Sequence, residues 1–398
     1  MGVVSHVVIF SAFCLFAGHV AICFAEEIPG HLQYLGSHRP AEGTIGIKDF
    51  WPDPATFYNN YIKPGKPLLF KGKAKGIPAF NLWTDEYLRN KYGDIKIDIE
   101  KGKKETRQGG MLRVPMSTFL NLYKEANIYM VYSLGSKMME EFHLPKPLLC
   151  GGYTKILQDA VLWFSSGGTK SVLHSDDIDN INCLMDGTKR LIFIDKKYKD
   201  LVEKDGFRED GGYSSVDVEK VDMEKFPSFR NIPWSEVTMD KGDCLFIPTG
   251  WYHHVSSTGP RNLAINIWFT HLPKFNHTDC AVPGELPESL PLTKFKVASL
   301  NYDNEEVRGE LTDLLRPFKD QEISKDEFLD ATKEAQSDLQ RDEWINIFDF
   351  IDGNNDSLLD WMELNSFDID EFIKKFPNFQ VNDEAKNSGE NEKKHEEL

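Results

Sequence analysis

Residues 243–257, DCLFIPTGWYHHVSS, decide the fold. They read as two short β-strands, CLFI and WYHHV, joined by Pro-Thr-Gly, a combination that turns the chain. Successive side chains on a strand point to opposite faces, so His253 and His254 cannot easily serve one site together. Alternation alone does not say which of them faces inward.

The same texture extends outward from this stretch. Between residues 160 and 270, short runs rich in Val, Ile, Phe, Trp and Cys (AVLWFSS, NINCLMDG, KRLIFID, NLAINIWF) alternate with Gly, Pro, Asp and Ser. Short strands bounded by turn residues predict a sandwich or barrel of the jelly-roll kind. Residues 40–150 are mixed, with helical stretches such as NLWTDEYLRNKYG and MSTFLNLYKEA beside a strand, DIKIDIE. Beyond a Pro-rich connector, VPGELPESLPLTKF, the chain turns helical and charged to about residue 375. The expected organisation is therefore a mainly β domain with flanking helices over 26–285 and a small all-α domain over 286–375. An acidic tail follows over 376–398, without apolar period.

With 398 residues, 40% of them hydrophobic, the chain can bury a large core, and a net charge of -17 disfavours nucleic acid as a partner. Residues 1–25 hold an apolar run free of Lys, Arg, Asp and Glu that ends at Ala25, as a secretory signal peptide does. The run is long for a signal, which leaves an uncleaved anchor as the alternative. If it is cleaved, no stable membrane span is expected. The terminal His395-Glu396-Glu397-Leu398 resembles the retrieval signals of the endoplasmic reticulum lumen, so a KDEL-type receptor is an expected partner. Asn276 and Asn355 stand in glycosylation acceptor triplets that matter in that lumen. Past the leader, Cys150, Cys183, Cys244 and Cys280 remain. An oxidising lumen allows one or two disulfides in three possible pairings, of which Cys150–Cys280 is the one expected; buried free thiols are the alternative.

The segment VLHSDD places His174 and Asp176 two residues apart, on one face if it is a strand. An imidazole and a carboxylate can share a cation there, and one of the paired histidines can supply a third ligand. Two His and one carboxylate on one side of a metal form the facial triad of non-haem Fe(II) oxygenases. Asp177 and Asp179 are competing carboxylates, Asp177 lying on the opposite face.

From about residue 110 to 270 the chain resembles the JmjC-type, cupin-fold oxygenases that use Fe(II) and 2-oxoglutarate, and within them the factor-inhibiting-HIF type of asparaginyl hydroxylase. The resemblance is carried by His-x-Asp, then Asn180 and Lys189 in a G-x-K-R strand, an MEKFPSF segment, the strand pair quoted above and a closing NIWF with Asn266. It implies a double-stranded β-helix and iron held by His174, Asp176 and His253, the first of the two histidines in a GW-x-H pattern. It implies 2-oxoglutarate held by Lys189, with Asn180, Asn266, Ser171 and Tyr129 lining its pocket. Trp163, Trp251 and Trp268 are read as core aromatics, with stacking of one of them against a substrate as the alternative.

In the α-helical part, DGNNDSLLDWME fits a calcium-binding EF-hand loop. Asp352, Asn354 and Asp356 take the first, third and fifth positions, Leu358 offers its carbonyl, and Asp360 and Glu363 close the loop. Ser357 stands where Gly is expected. DQEISKDEF reads as the end of a degenerate partner loop, because Arg316 and Phe318 cannot ligate calcium. The leading expectation is a luminal Fe(II) and 2-oxoglutarate protein hydroxylase acting on a secretory-pathway protein. The other is a non-catalytic, calcium-sensing scaffold on the same fold.

Overall fold

The structure is a computed structural model that describes residues 28–376 and 379, except 104–110, 208–211, 281–284, 302–306, 310, 313, 319–320 and 335–338. The expected leader and the tail beyond residue 379 lie outside the described residues. Among the described residues no helix is long and apolar enough to cross a membrane.

The larger part carries strands β1 (Gly46–Lys48), β2 (Leu68–Phe70), β3 (Lys96–Lys101), β4 (Met111–Pro115), β5 (Ile128–Ser133), β6 (His143–Pro145), β7 (Leu157–Ser165), β8 (Asp179–Ile194), β9 (Ser235–Asp240), β10 (Cys244–Ile247), β11 (Tyr252–Phe269) and β12 (Ser289–Pro291). Ten of them form one sheet in the order β1-β2-β10-β8-β11-β7-β5-β3-β4, with β9 attached to β8; β12 pairs with β6 apart from it.

Two of these strands are each longer than the turn residues suggest. NINCLMDG and KRLIFID form one strand of 16 residues, β8, and WYHHVSS and NLAINIWF form one of 18, β11. The Gly residues between the runs bend the strands rather than ending them. Gly187 has φ +84, and a Cβ there would sit 2.6 Å from the Arg261 carbonyl oxygen and 2.9 Å from that of Thr258. Only glycine can take that conformation with the partner strand so close. Opposite it, the β8–β11 register shifts between Thr258 and Leu263.

On one side of the bend β8 pairs with β10 (Asn180 opposite Ile247), and on the other with β9 (Lys189 opposite Met239). The second half of β11 pairs with β7, whereas its first half receives the 170–174 segment through bridges at Ser256 and His253. The sheet thus folds over into two walls, a jelly-roll of the cupin kind. Phe164, Ile181, Ile265 and Phe269 pack outward against Phe57, Leu88 and Phe119 of the flanking helices. Ile192, Ile194 and Tyr252 pack outward against Phe229 and Trp234. Leu191, Phe193, Val237, Met239 and Leu245 fill one end of the interior. The helix expected from NLWTDEYLRNKYG spans Asp85–Tyr92, started by the Thr84 hydroxyl, which accepts the Tyr87 N–H at 3.1 Å.

Both possible disulfides form, Cys150–Cys280 and Cys183–Cys244. Cys183 and Cys244 stand directly opposite in the β8–β10 register, so strand pairing brings them together.

The helical part has its own core, including Leu311, Phe328, Trp344, Phe348, Leu359 and Phe372. Helices Lys325–Ala331 and Arg341–Ile351 pack in it, followed by Trp361–Ser366 and Ile369–Lys375. Strand β13 (Ile323–Ser324) pairs antiparallel with β14 (Leu358–Leu359), tying the DQEISKDEF segment to the acidic loop. Leu292, within the Pro-rich connector, and Val297, just beyond it, belong to the larger core.

Candidate metal centre

His174, Asp176 and His253 meet inside the jelly-roll, each offering a ligand atom within 4.8 Å of the others'. No other group of three His, Cys, Asp or Glu side chains comes together in this way among the described residues. The 170–174 segment is extended but holds only isolated bridges, so His174 is positioned by its pairing with His253. Its N–H donates to the His253 carbonyl at 3.1 Å and the reciprocal bond is 2.7 Å. The two rings lie 4.2 Å apart. Asp176 is held from behind, its carbonyl accepting the Gly250 N–H at 2.8 Å.

The tautomers suit a metal. Nδ1 of His174 lies 2.9 Å from the Val172 carbonyl oxygen, and Nδ1 of His253 lies 3.0 Å from that of Trp251. A carbonyl oxygen only accepts, so each Nδ1 carries the proton and each Nε2 keeps its lone pair for the site. Those Nε2 atoms sit 3.9 and 3.7 Å from the two Asp176 oxygens. Two imidazole Nε2 atoms and one carboxylate on one side of a point fit iron.

His254 faces the other way. It is 2% exposed, its Nδ1 lies 2.8 Å from the Ser171 carbonyl, its Nε2 meets the Ser256 hydroxyl, and its ring packs edge-on against Tyr34. Burial pushes its imidazole down to about 4, so it stays neutral in the wall. Of the competing carboxylates, Asp179 is fully buried in a structural bond with His271 at 2.8 Å and the Thr249 N–H at 2.9 Å. Asp177 is not part of the converging group.

The triad opens into a cavity of about 400 Å³ that is also lined by Tyr129, Ser171, Asn180, Lys189 and Asn266. Lys189 projects from β8 just past the bend. It is 7% exposed, and its ammonium donates to the Ser257 hydroxyl at 3.0 Å with no carboxylate in ion-pair range among the described residues. Burial pushes its amine down to about 8. A buried cation with a neutral partner is what an anionic ligand would complete. Around it, Ser171 holds the Val255 N–H at 2.8 Å, Tyr129 donates to Glu100 at 2.5 Å, and Asn266 accepts from the Asn182 amide. The Asn180 carbonyl oxygen is buried without a partner. The Lys189 ammonium at depth fits a carboxylate group of a small dicarboxylate, whereas the Asn180 oxygen on the wall is an acceptor that calls for an N–H or O–H donor.

Some lining residues are ones the sequence reading passed over. Trp163 and Trp268, read as core, line the cavity, and each buries an indole N–H without a partner. Asn182 and Asp159 line it too. Period-two alternation from Asn180 and Trp163 would have found both. Trp251 does pack structurally, donating to the Gly65 carbonyl at 2.8 Å.

In the helical part, the acidic loop curls on its own side chains. Asp352 accepts the Ser357 N–H at 3.0 Å, Asn354 the Asp356 N–H at 2.8 Å, and Asp356 the Leu358 N–H at 2.9 Å. Glu363 receives the Asn354 and Asp360 N–H groups at 3.3 and 3.2 Å, and Asp360 caps the following helix. Ser357 takes the left-handed conformation expected of a glycine there, φ 66.

Comparison with known proteins places this geometry. The model of the cupin-like domain family matches residues 54–275. Lysine-specific demethylase 8 of Xenopus tropicalis is 24% identical over 229 residues, covering 55% of this chain and 51% of that protein. The JmjC domain-containing protein D of Dictyostelium discoideum is 28% identical over 233 residues, 52% of each chain. The human bifunctional peptidase and (3S)-lysyl hydroxylase JMJD7 is 20% identical over 258 residues, covering 55% of this chain and 81% of that protein. The chain spans about half the length of the first two relatives. The family model covers more than half of this chain, and its matched region contains both walls of the cavity and all three converging ligands; the chain belongs to the cupin-like domain family, with JmjC hydroxylases and demethylases among its relatives.

Proposed function

We propose that this chain is an Fe(II)- and 2-oxoglutarate-dependent dioxygenase that hydroxylates a side chain of a secretory-pathway protein in the lumen of the endoplasmic reticulum. The observation that carries the reading is the pairing, in one cavity, of the His174–Asp176–His253 group with the buried Lys189, which has no carboxylate in ion-pair range among the described residues. A binding or scaffolding cupin has no need to bury an ammonium opposite a metal site, because such burial costs several kcal/mol without a counter-charge. In this reading His174, Asp176 and His253 hold Fe(II), and Lys189 binds the distal carboxylate of 2-oxoglutarate. Asn180, Asn266, Ser171 and Tyr129 shape the pocket around it. With O2 as the oxidant, the bound metal and co-substrate would supply C–H hydroxylation, one oxygen atom entering the C–H bond and the other the succinate formed as 2-oxoglutarate loses CO2. The chain's own part is to fix the two histidine tautomers through Val172 and Trp251, to hold the co-substrate's charge at depth, and to keep water out with the aromatic walls. The order His174, Asp176, Asn180, Lys189 along the chain is that of the factor-inhibiting-HIF type.

The helical part is, in this proposal, a calcium-binding EF-hand pair with one working loop. Asp352, Asn354, Asp356, the Leu358 carbonyl, Asp360 and Glu363 would take Ca2+, and the β13–β14 pairing would couple it to its degenerate partner. The leader, the glycosylation triplets, the two disulfides and the terminal HEEL support the luminal address and a KDEL-type receptor as partner.

The test is to load the purified chain with Fe(II) and 2-oxoglutarate under anaerobic conditions, admit O2 and measure succinate in wild type and Asp176→Ala. Wild type is expected to turn over the co-substrate and the variant to lose nearly all of it. Equal succinate from both would refute the oxygenase reading.

A further inference from the structure

Of the three converging ligands, Asp176 has the least backbone support. His174 and His253 are bridged to each other, whereas Asp176 lies in the irregular stretch 175–178, between that bridge and the start of β8 at Asp179. Its carbonyl is held by one turn, residues 248–250 between β10 and β11, through the Gly250 N–H at 2.8 Å and the Thr249 hydroxyl at 3.4 Å. The same turn leads into Trp251, whose carbonyl fixes the His253 tautomer. Two ligands far apart in sequence therefore take their spacing from where this turn sits.

Asp179 anchors the turn. One of its carboxylate oxygens accepts the Thr249 N–H at 2.9 Å, and the other lies 2.8 Å from Nδ1 of His271, just past the end of β11. A carboxylate accepts, so His271 donates. On the outer side the Trp251 indole, bonded to the Gly65 carbonyl, holds the end of the turn. Asp179 does not line the cavity, because its neighbour Asn180 does and alternation turns Asp179 the other way.

Packing alone gives no reason for a carboxylate at this place. Asp179 is 0% exposed, and its register partner on β11, Phe269, belongs to the apolar core. Taking a charge fully out of water is unfavourable unless its bonds return the loss. An apolar side chain would suit the core; only an acceptor with two oxygens can hold an N–H of the turn and an imidazole at once.

We infer that Asp179 is a positioning residue of the metal centre. By accepting the Thr249 N–H it locks the 248–250 turn against the start of β8, and so fixes Asp176 relative to His253, while His271 holds the carboxylate in place. The inference rests on the metal-binding part of the oxygenase reading.

The test titrates the full chain with Co(II), whose d–d absorption reports coordination geometry, and with Fe(II) by anaerobic calorimetry. Asp179→Ala is expected to weaken both metals by about tenfold or more and to change the shape of the Co(II) band. Asp179→Asn keeps an acceptor for the Thr249 N–H, so its affinity should stay within about threefold of wild type, with the band unchanged. His271→Ala should weaken binding about fivefold, and the double variant no more than Asp179→Ala alone, because His271 acts through the carboxylate. His254→Ala removes a buried ring from the other face and controls for lost stability: its melting temperature should fall while its Co(II) spectrum stays that of wild type. Wild-type affinity in Asp179→Ala, or in His271→Ala should the former not fold, would overturn the positioning role while metal binding by wild type still upheld the centre. Equal losses in Asp179→Asn and Asp179→Ala, or a loss as large in His254→Ala, would overturn it likewise. No metal binding by wild type would overturn both.

Discussion

Replacing Lys189 by methionine is predicted to raise the stability of the ligand-free protein while crippling its hold on 2-oxoglutarate. The side chains are similar in length, so the change mainly removes a charge. Burial lowers the amine from its ordinary 10.5 to about 8, which corresponds to roughly 3 kcal/mol spent on keeping it charged in the wall. Losing the bond to Ser257 returns about 1 kcal/mol of that, so the variant gains about 2 kcal/mol at pH 7. The pH dependence has a definite sign. Between pH 8 and 10.5 the unfolded chain binds more protons at this residue than the folded one, so wild type gains stability as pH rises through that window. The variant lacks that gain, and the difference between the two proteins, measured by urea unfolding across pH 7 to 10.5, isolates Lys189 from other groups titrating there. In the other direction, a ligand carboxylate deprived of a buried cation loses about 2–5 kcal/mol, so anaerobic calorimetry with Fe(II) present should show 2-oxoglutarate binding on the order of a hundredfold weaker. A variant less stable than wild type at pH 7, or one that binds 2-oxoglutarate as tightly, would refute the account of this lysine as an uncompensated buried cation awaiting an anion.

His253→Ala should lose iron and His254→Ala should keep it, read by metal content after anaerobic loading. His254→Ala should still cost about 1–3 kcal/mol, because it deletes a 2% exposed ring that bonds Ser171. Replacing Cys150 and Cys280 together by Ser frees a 130-residue loop, with an expected loss of about 4–5 kcal/mol on the chain-entropy model, seen as a lower melting temperature that reductant no longer changes at that bond. Glu363→Gln should abolish calcium-dependent stabilisation in scanning calorimetry; an unchanged calcium response would count against the loop. Gly187→Ala should destabilise the jelly-roll by several kcal/mol, since its Cβ would meet two carbonyl oxygens within 3 Å of it.

The strand-rich region and its flanking helices were legible because they rest on local periodicity, and His174 and Asp176 because they are two residues apart; the choice of His253, 77 residues after Asp176, came from the family resemblance and not from spacing. Other features were obscured for physical reasons. Both faces of β7 and β11 are covered, one by the helical core and one by the cavity, so Trp163 and Trp268 show no polar contrast that separates lining from packing. Asp159 was cut from its strand because the apolar run begins at Ala160, although it shares a face with Val161 and Trp163. Asn182 shares a face with Asn180 in the same way. Asp186-Gly187 and Thr258-Gly259 read as turns because turn chemistry and a sharp strand bend demand the same residues; only the cross-strand register tells them apart. The Cys183–Cys244 pairing depends on that register and could not be read from the spacing.

The bend is also what makes the site. A straight β8 would hold Asn180 and Lys189 about 30 Å apart at the ordinary strand rise and, nine residues apart, on opposite faces of the sheet. Folding the strand at Gly187, with β11 folding beside it, swings the Lys189 half round to face the half that carries Asn180, so both line one cavity of about 400 Å³. The first half of β11 brings His253 to one end of the second wall and Ser257, the partner of Lys189, to the other. The distance between metal ligands and buried cation is thus set by the five residues from His253 to Ser257, a stretch of paired strand rather than a loop. An inserted residue there would reverse the faces of everything beyond it, and would remove either the histidine or the lysine's partner from the cavity.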